Sequence, residues 1–337
     1  MNNFSVVSLF SGCGGMDLGL MGGFSFLSKK YDKLPVRILK AIDHDSKIAD
    51  IYNLNFPHKC EVKDIIELSL KDIPSHDIMV GGFPCQSFSI SAQNPKRLGY
   101  NDERGKLFFE MCRILKAKQP KVFIAENVKG ILSANKGEAF ELILSEFRKV
   151  GYYVKFQLLN SSHFGVPQKR ERVFIVGFKD KEAFNAFSFP ETTTLDKPRV
   201  LSEVIEDEKT MDEKFYFSQK AVDGMKKTKH AKSMNKGRDQ NINMPCNTVG
   251  AHLAKVSLNS TDPVLKINDR YRMFTPREVA RIQSFPDNFN LVTSRSVNYK
   301  ALGNAVPPVM MWHVSKKEME ALFVMESSKS ELLAEAV

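Results

Sequence analysis

The stretch Asp77-Ile78-Met79-Val80-Gly81-Gly82-Phe83-Pro84-Cys85-Gln86-Ser87 decides the fold. An apolar run of strand length stops at glycines and a proline, which hold one cysteine on a stiff turn at the carboxyl end of the run. In open α/β sheets that edge is where ligands bind. A thiol there becomes a nucleophile when its surroundings favour the thiolate, whereas a cysteine at an arbitrary position is more often a small buried apolar residue.

Outward from this stretch the chain alternates. Strand-like runs occupy 4–10, 36–42, 77–80, 122–125, 153–159 and 173–178, and helical periodicity fits 47–54, 106–118 and 138–149. Strands separated by helices of this length predict βαβ units and a doubly wound, mostly parallel sheet, an α/β fold. The rhythm breaks after Phe178. From 190 to 265 the chain is polar, with an acidic segment at 203–213, and 220–238 carries seven Lys/Arg against the single Asp223. This middle region reads as a second, smaller domain. Thr275-Pro276-Arg277-Glu278 then marks a helix start with proline in its first turn. A last apolar helix is expected over 309–325, with a polar tail fraying from Glu326. The expected division is 1–189, 190–272, 273–299 as a hinge, and 300–337 returning to the first unit.

The 337 residues suffice for a sizeable core, and 42% hydrophobic with 26% charged content is ordinary for a globular enzyme. No run reaches the roughly 18 apolar residues of a membrane span. Met1-Asn2-Asn3-Phe4 lacks the basic start and apolar core of a signal peptide, so a cytoplasmic chain is expected. Cys13, Cys60, Cys85, Cys112 and Cys246 form no Cys-x-x-Cys pair, which argues against a zinc site or a disulfide framework. A net charge of +10 suits a polyanionic partner, though charge alone does not identify one.

Four constellations carry chemistry. Phe10-Ser11-Gly12-Cys13-Gly14-Gly15 ends the first strand, and its glycines let backbone approach a ligand, although a plain tight turn reads the same way. Asp43, ending the second strand, suits a ribose diol or a helix N-cap. Glu126, just past another strand, would face the same pocket as Cys85 if the two strands are neighbours. A nucleophile beside a carboxylic acid suits attack on a ring carbon whose adjacent nitrogen gains a proton. Arg170 and Arg172, at the start of the 173–178 strand, can hold carbonyl or phosphate oxygens, or form a solvated charged turn.

Taken in order, these blocks resemble the DNA (cytosine-5)-methyltransferases of the bacterial restriction–modification type. The resemblance runs through Phe10–Gly15, Asp43, Lys63-Asp64-Ile65, Gly82–Ser87, Glu126-Asn127-Val128-Lys129, Gln168–Arg172, Thr275–Gln283 and Gly303-Asn304-Ala305-Val306-Pro307. It implies a Rossmann-like methyltransferase domain with a smaller DNA-recognition domain over 190–272. It implies S-adenosylmethionine as cofactor, S-adenosylhomocysteine as product and no metal. Double-stranded DNA is the implied partner, with no membrane, a restriction endonuclease as functional counterpart, and a monomer acting at the bacterial nucleoid.

The resemblance also assigns residues. Cys85 would add to carbon 6 of cytosine, Glu126 would serve ring N3, and Arg172 would hold the ring carbonyl with Arg170 in support. Phe10, Gly12, Cys13, Gly14 and Gly15 would cradle the methionine part of the cofactor. Asp43 would take the ribose, Asp64 and Ile65 the adenine edge, and His44 the place of an aromatic platform. Phe83, Pro84, Asn304 and Val306 would complete the cofactor site. Gln86, Ser87 and Ser89 would belong to a lid over an extruded base. Lys226, Lys227, Lys229, Lys232 and Arg238 would meet phosphates, and Thr248 belongs to a Thr-apolar element of the recognition domain. The longer link between the first two strands, holding Lys29-Lys30-Tyr31-Asp32-Lys33, is expected as a surface excursion. Transfer RNA cytosine-5 methyltransferases share the catalytic blocks; the Gly-Phe-Pro-Cys form and the lysine-rich middle region favour DNA. A catalytically dead DNA reader is disfavoured by the presence of Cys85, Glu126 and Arg172 together.

Overall fold

A computed structural model describes residues 3–84, 103–227, 238–253, 262–267 and 270–335. The chain opens with β1 (Phe4–Leu9) and α1 (Gly15–Met21), then a hairpin of β2 (Phe24–Phe26) and β3 (Lys29–Tyr31). β4 (Val36–Asp43), α2 (Ser46–Asn55), β5 (Cys60–Val62) and β6 (Ile78–Gly82) follow. Next come α3 (Glu103–Lys118), β7 (Val122–Val128), α4 (Glu138–Lys149), β8 (Tyr153–Asn160), β9 (Gln168–Lys169), β10 (Glu171–Phe178) and α5 (Lys181–Ala186).

Seven strands form one sheet in the order β5-β4-β1-β6-β7-β10-β8. All neighbours are parallel except β10, which runs antiparallel to both β7 and β8. The expected doubly wound, mostly parallel sheet is therefore the fold. From β1 the chain moves outward through β4 to β5, then crosses to the other side at β6. The β1–β6 boundary is thus the point where strand order reverses, and ligands bind outside the carboxyl ends of strands at such a point. Both faces of the sheet are covered, which is why its central strands read as continuous apolar runs. Val6, Ile78, Val80, Ile124 and Val176 belong to one buried cluster, and Val7, Met79, Phe123, Ala125 and Ile175 to the other.

The middle region holds α6 (Gln219–Lys227), β11 (Asp239–Gln240), β12 (Cys246–Asn247), β13 (Val264–Ile267) and β14 (Arg270–Arg272). β11, β13 and β14 form a small sheet, whereas β12 pairs in parallel with β9 of the first unit. Three helices close the chain: α7 (Pro276–Ile282), α8 (Arg295–Asn304) and α9 (Pro308–Glu335). Thr275 caps α7 in a capping box with Glu278, and Pro276 occupies its first turn, as the sequence predicts.

Two expectations change. The link between β1 and β4 is not merely a surface excursion. Its hairpin buries Phe24, Phe26 and Tyr31, and Tyr31 packs edge-on against Trp312 of α9. The tail does not fray at Glu326 either. α9 continues to Glu335, with Glu326 paired to Lys121 at 3.0 Å and Ser328 bonded to Glu182 of α5 at 2.5 Å. No helix among the described residues is long and apolar enough to cross a membrane.

Candidate active site

The candidate catalytic cluster is built by three adjacent strands. β6 and β7 are parallel neighbours in a register that sets Gly82 opposite Glu126, so the carboxylate lies beside the strand that leads into Cys85. An added Cβ on Gly82 would stand 3.0 Å from Glu126 Oε2, so glycine is what lets the carboxyl approach. Asn127 Nδ2 donates to the Phe83 carbonyl at 3.0 Å, fixing the start of the Phe83-Pro84 turn against β7. From β10, Arg172 Nε pairs with Glu126 Oε1 at 2.9 Å, and the two side chains are only 12% and 11% exposed. Burial pushes the Glu126 carboxyl above the usual range, against the pull of Arg172 and Arg170. Such a carboxyl retains a proton at higher pH than an exposed one and can serve a ring nitrogen. Cys85, Gln86, Ser87 and Ser89 lie outside the described residues.

The candidate cofactor cluster stands at the carboxyl ends of β1 and β4. The turn after β1 needs left-handed backbone at Gly12 and Gly14, with φ of 56° and 90°. Gly12 N–H donates to Asp43 Oδ2 at 2.8 Å, and Asp45 N–H to Oδ1 at 2.9 Å. The N-cap of α2 is Asp45, which accepts from Lys47 and Ile48, so the capping alternative for Asp43 is excluded. A Cβ on Gly15 would run into the Val306 carbonyl, so the first and last blocks of the sequence meet here. Lys63 N–H donates to the Asp43 carbonyl at 2.9 Å, which places Asp64 and Ile65 next along. Asp64 is exposed, whereas the Ile65 side chain belongs to the core.

Other assigned residues contribute backbone or surroundings. Cys13 is buried with its thiol pushed up to about 12 by burial, so only its backbone is available to a ligand. Phe83 is buried against Phe108, and Pro84 is half-buried. Asn304 is exposed at the end of α8, and the His44 side chain is 77% exposed beside Asp43.

Two arginines differ from their expected roles. Arg170 is 1% exposed and donates to the carbonyls of Val249 (3.1 Å) and Gly303 (2.9 Å). Both Nη groups are committed to backbone carbonyls, with Nε buried and without a partner among the described residues, which makes Arg170 a brace behind Arg172 rather than a hand on a ring carbonyl. Arg238 is also buried, and its Nε donates to the Asp262 carbonyl at 3.1 Å, which holds the small sheet instead of reaching toward phosphate. Thr248 is exposed and ties the middle region to the first unit by donating to the Lys169 carbonyl at 2.8 Å. Lys226 and Lys227 close α6, and Lys229 and Lys232 lie outside the described residues.

Sequence reasoning gave no role to Gln168 or Gln283. Gln168 is wholly buried, accepts from Val249 N–H at 2.9 Å and donates to Gln283 Oε1 at 2.7 Å; Gln283 in turn donates to the Leu302 carbonyl. With Arg170 they join β9, the 247–250 segment and the end of α8. Both glutamines stood inside quoted blocks, which was their only signal.

Comparison with known proteins agrees with this geometry. The family model of C-5 cytosine-specific DNA methylases matches residues 4–319. The chain is 36% identical to the Type II methyltransferase M1.ScrFI of Lactococcus lactis subsp. cremoris, over 97% of this chain and 80% of that protein. It is 35% identical to the Type II methyltransferase M.FnuDI of Fusobacterium nucleatum, over 97% of each. Among solved structures, the Entamoeba histolytica methyltransferase EhMeth superposes with a TM-score of 0.77 at 19% identity, covering 96% of this chain and 99% of that one. The S. pombe Dnmt2 methyltransferase gives 0.72 at 20%, covering 95% and 99%. A Rossmann-like sheet, an arginine-paired glutamate beside the strand that ends at Gly82 and a match over nearly the full length lead to one conclusion: the chain belongs to the C-5 cytosine-specific DNA methylases and is a methyltransferase enzyme.

Proposed function

We propose that this enzyme transfers a methyl group from S-adenosylmethionine to carbon 5 of one cytosine within a short duplex DNA sequence, protecting that DNA from a cognate restriction endonuclease. The observation that carries the proposal is the Glu126–Arg172 pair, at 2.9 Å, set beside Gly82 just before Cys85. The relatives' names support the restriction–modification setting.

The residues fit the cofactor. Backbone of the 10–15 turn would cradle its methionine part, with open space on the Cβ side of Gly12 and the Val306 carbonyl against Gly15. Asp43, its carboxylate fixed by two N–H donors, would hold the ribose hydroxyls, with Asp64 and Ile65 at the adenine edge. His44, Phe83, Pro84 and Asn304 would line the remainder. When bound, the cofactor supplies an electrophilic methyl group.

Carbon 5 of cytosine is a poor nucleophile in an aromatic ring. Cys85 thiolate adding to carbon 6 forms an S–C6 bond and shifts the ring electrons toward N3 and the carbonyl oxygen. Glu126 gives or shares a proton at N3, and Arg172 stabilises the developing negative charge on the oxygen. Carbon 5, now enamine-like, takes the methyl group. A base then removes the carbon-5 proton, the S–C6 bond breaks, the N3 proton returns to Glu126, and the thiolate is released. The target atom is inaccessible in a stacked duplex, so the base must be flipped out at a cost of roughly a few kcal/mol.

The test is incubation with tritiated cofactor and either duplex DNA or transfer RNA. Label in DNA is the expected result, and label in RNA alone would refute the reading. Sequencing randomised duplex after methylation would then give the target site.

A further inference from the structure

Behind the glycine turn lies a chain of buried polar groups that the chemistry above does not use. Asp17, in the first turn of α1, is wholly buried. Its Oδ1 accepts from Ser8 Oγ at 2.6 Å and its Oδ2 from Tyr52 Oη at 2.5 Å. Ser11 Oγ accepts from Ile42 N–H at 3.1 Å and lies within donating distance of Ser8 Oγ at 2.9 Å and of the Ser8 carbonyl at 3.1 Å. On the other side, Tyr52 Oη lies 2.6 Å from His58 Nε2. Tyr52 has given its one proton to Asp17, so His58 is the donor there. Along its shortest contacts, the chain from Ile42 and from half-buried His58 points toward one carboxylate.

The two ends of this relay bear on the cofactor cluster. Ser11 grips Ile42 both ways, since its own N–H donates to the Ile42 carbonyl at 3.0 Å. The residues that follow, Gly12 and Asp43, share the 2.8 Å bond described above. Tyr52 stacks on Phe56 at 4.2 Å, and a Cβ on Gly14 would collide with the Phe56 ring. The relay thus fixes the turn through its hydroxyls and wedges it through its rings.

Resting on the cofactor reading above, we infer that the His58–Tyr52–Asp17–Ser8–Ser11 relay is a positioning device that presets the 10–15 turn and Asp43 for S-adenosylmethionine. Aligned hydrogen bonds strengthen one another, and preset geometry raises affinity by lowering the ordering cost of binding. Burial pushes the Asp17 carboxyl up to about 6 and His58 down. Burial above all, with the charges of Asp43 and then Asp17, pushes the Cys13 and Cys60 thiols up, so both stay uncharged. The ionisable groups left in play near neutrality are Asp17 and His58. A protonated Asp17 would set a fourth O–H among donors that already point at it, so the relay loses its polarity below about pH 6.

The test measures the Kd of S-adenosylhomocysteine by calorimetry and kcat at saturating cofactor. Tyr52→Phe keeps the stacked ring and removes both hydroxyl bonds; its Kd should rise about tenfold, with kcat within about twofold of wild type. His58→Ala, at the half-buried end where folding is not at stake, should weaken binding about threefold, and His58→Gln, which keeps an N–H donor, should restore it. Wild-type affinity should fall as the pH drops below about 6. A wild-type protein that binds while Tyr52→Phe and His58→Ala bind equally well would overturn the relay and leave the cofactor reading standing. A loss confined to kcat would overturn it too. Failure of the wild-type protein to bind would overturn both.

Discussion

Among the described residues, two buried arginine–glutamate pairs are built to opposite ends. At the catalytic edge, Arg172 spends Nε on Glu126 Oε1 and Nη1 on the Glu171 carbonyl. That leaves Arg172 Nη2 and Glu126 Oε2 uncommitted among the described residues. At the foot of the middle region, Arg272 is wholly buried and gives both Nη1 and Nη2 to Glu278 at 2.8 Å, Nε and Nη2 to Glu208, and Nη1 also to the Met273 carbonyl. Glu278 further accepts from the N–H groups of Glu206 and Thr275. Burial pulls the Arg272 guanidinium down, but Glu278 and Glu208 outweigh it and hold its charge more firmly than usual. Burial pushes Glu126 the other way, toward a proton it can exchange. A closed pair fastens the acidic 203–213 segment to α7. An open pair keeps atoms free for a substrate.

The sharpest way to break this contrast is Glu126→Gln. It should lower kcat by about 10²- to 10⁴-fold while moving the melting temperature by less than about 3 °C. Activity that depends on protonated Glu126 should also fall as pH rises through its raised value, and the residual activity of the variant should lack that limb. A rate loss matched by unfolding would erase the distinction. Arg272→Met should instead cost about 3–5 kcal/mol in denaturant unfolding, because it leaves Glu278 buried and uncompensated; adding Glu278→Leu should recover much of that loss. A cost under about 1 kcal/mol would show the closed pair to be ornamental.

A third buried carboxyl extends the comparison. Glu318 on α9 is wholly buried and neither oxygen has a partner among the described residues. Burial raises its carboxyl well above the usual range. A carboxyl raised on folding costs nothing below its unfolded value near 4.3 and costs progressively more as pH climbs toward the folded value. Glu318→Met should therefore stabilise by about 1–3 kcal/mol at pH 8 and by less near pH 4, read from unfolding midpoints at the two values. An equal gain at both would remove ionisation from the explanation.

Much of this was legible in the residues. The parallel strands announced themselves as short β-branched runs, and Glu126 and Arg172 came together because β7 and β10 pair with Phe174 opposite Glu126. Asp43-His44-Asp45 was ambiguous in sequence, since either acid suits an N-cap; only the Gly12 bond sorts them. Arg170 and Arg238 misled for a common reason. A basic residue in a charged stretch reads as a surface group, and nothing local reveals that backbone carbonyls distant in sequence will claim it. Glu318, between Lys317 and Met319, likewise looked like the exposed face of a helix. Non-local burial is what the one-dimensional pattern omits.

The central claim is a transient bond between the Cys85 sulfur and carbon 6 of an extruded cytosine. Duplex carrying 5-fluorocytosine at the target, incubated with the enzyme and S-adenosylmethionine, tests it most directly, because fluorine cannot leave as a proton does. The account predicts a denaturation-resistant adduct that peptide mass spectrometry maps to Cys85 and that Cys85→Ala abolishes while still binding DNA. An enzyme that methylates ordinary duplex yet yields no adduct, or one mapped to another residue, would contradict it.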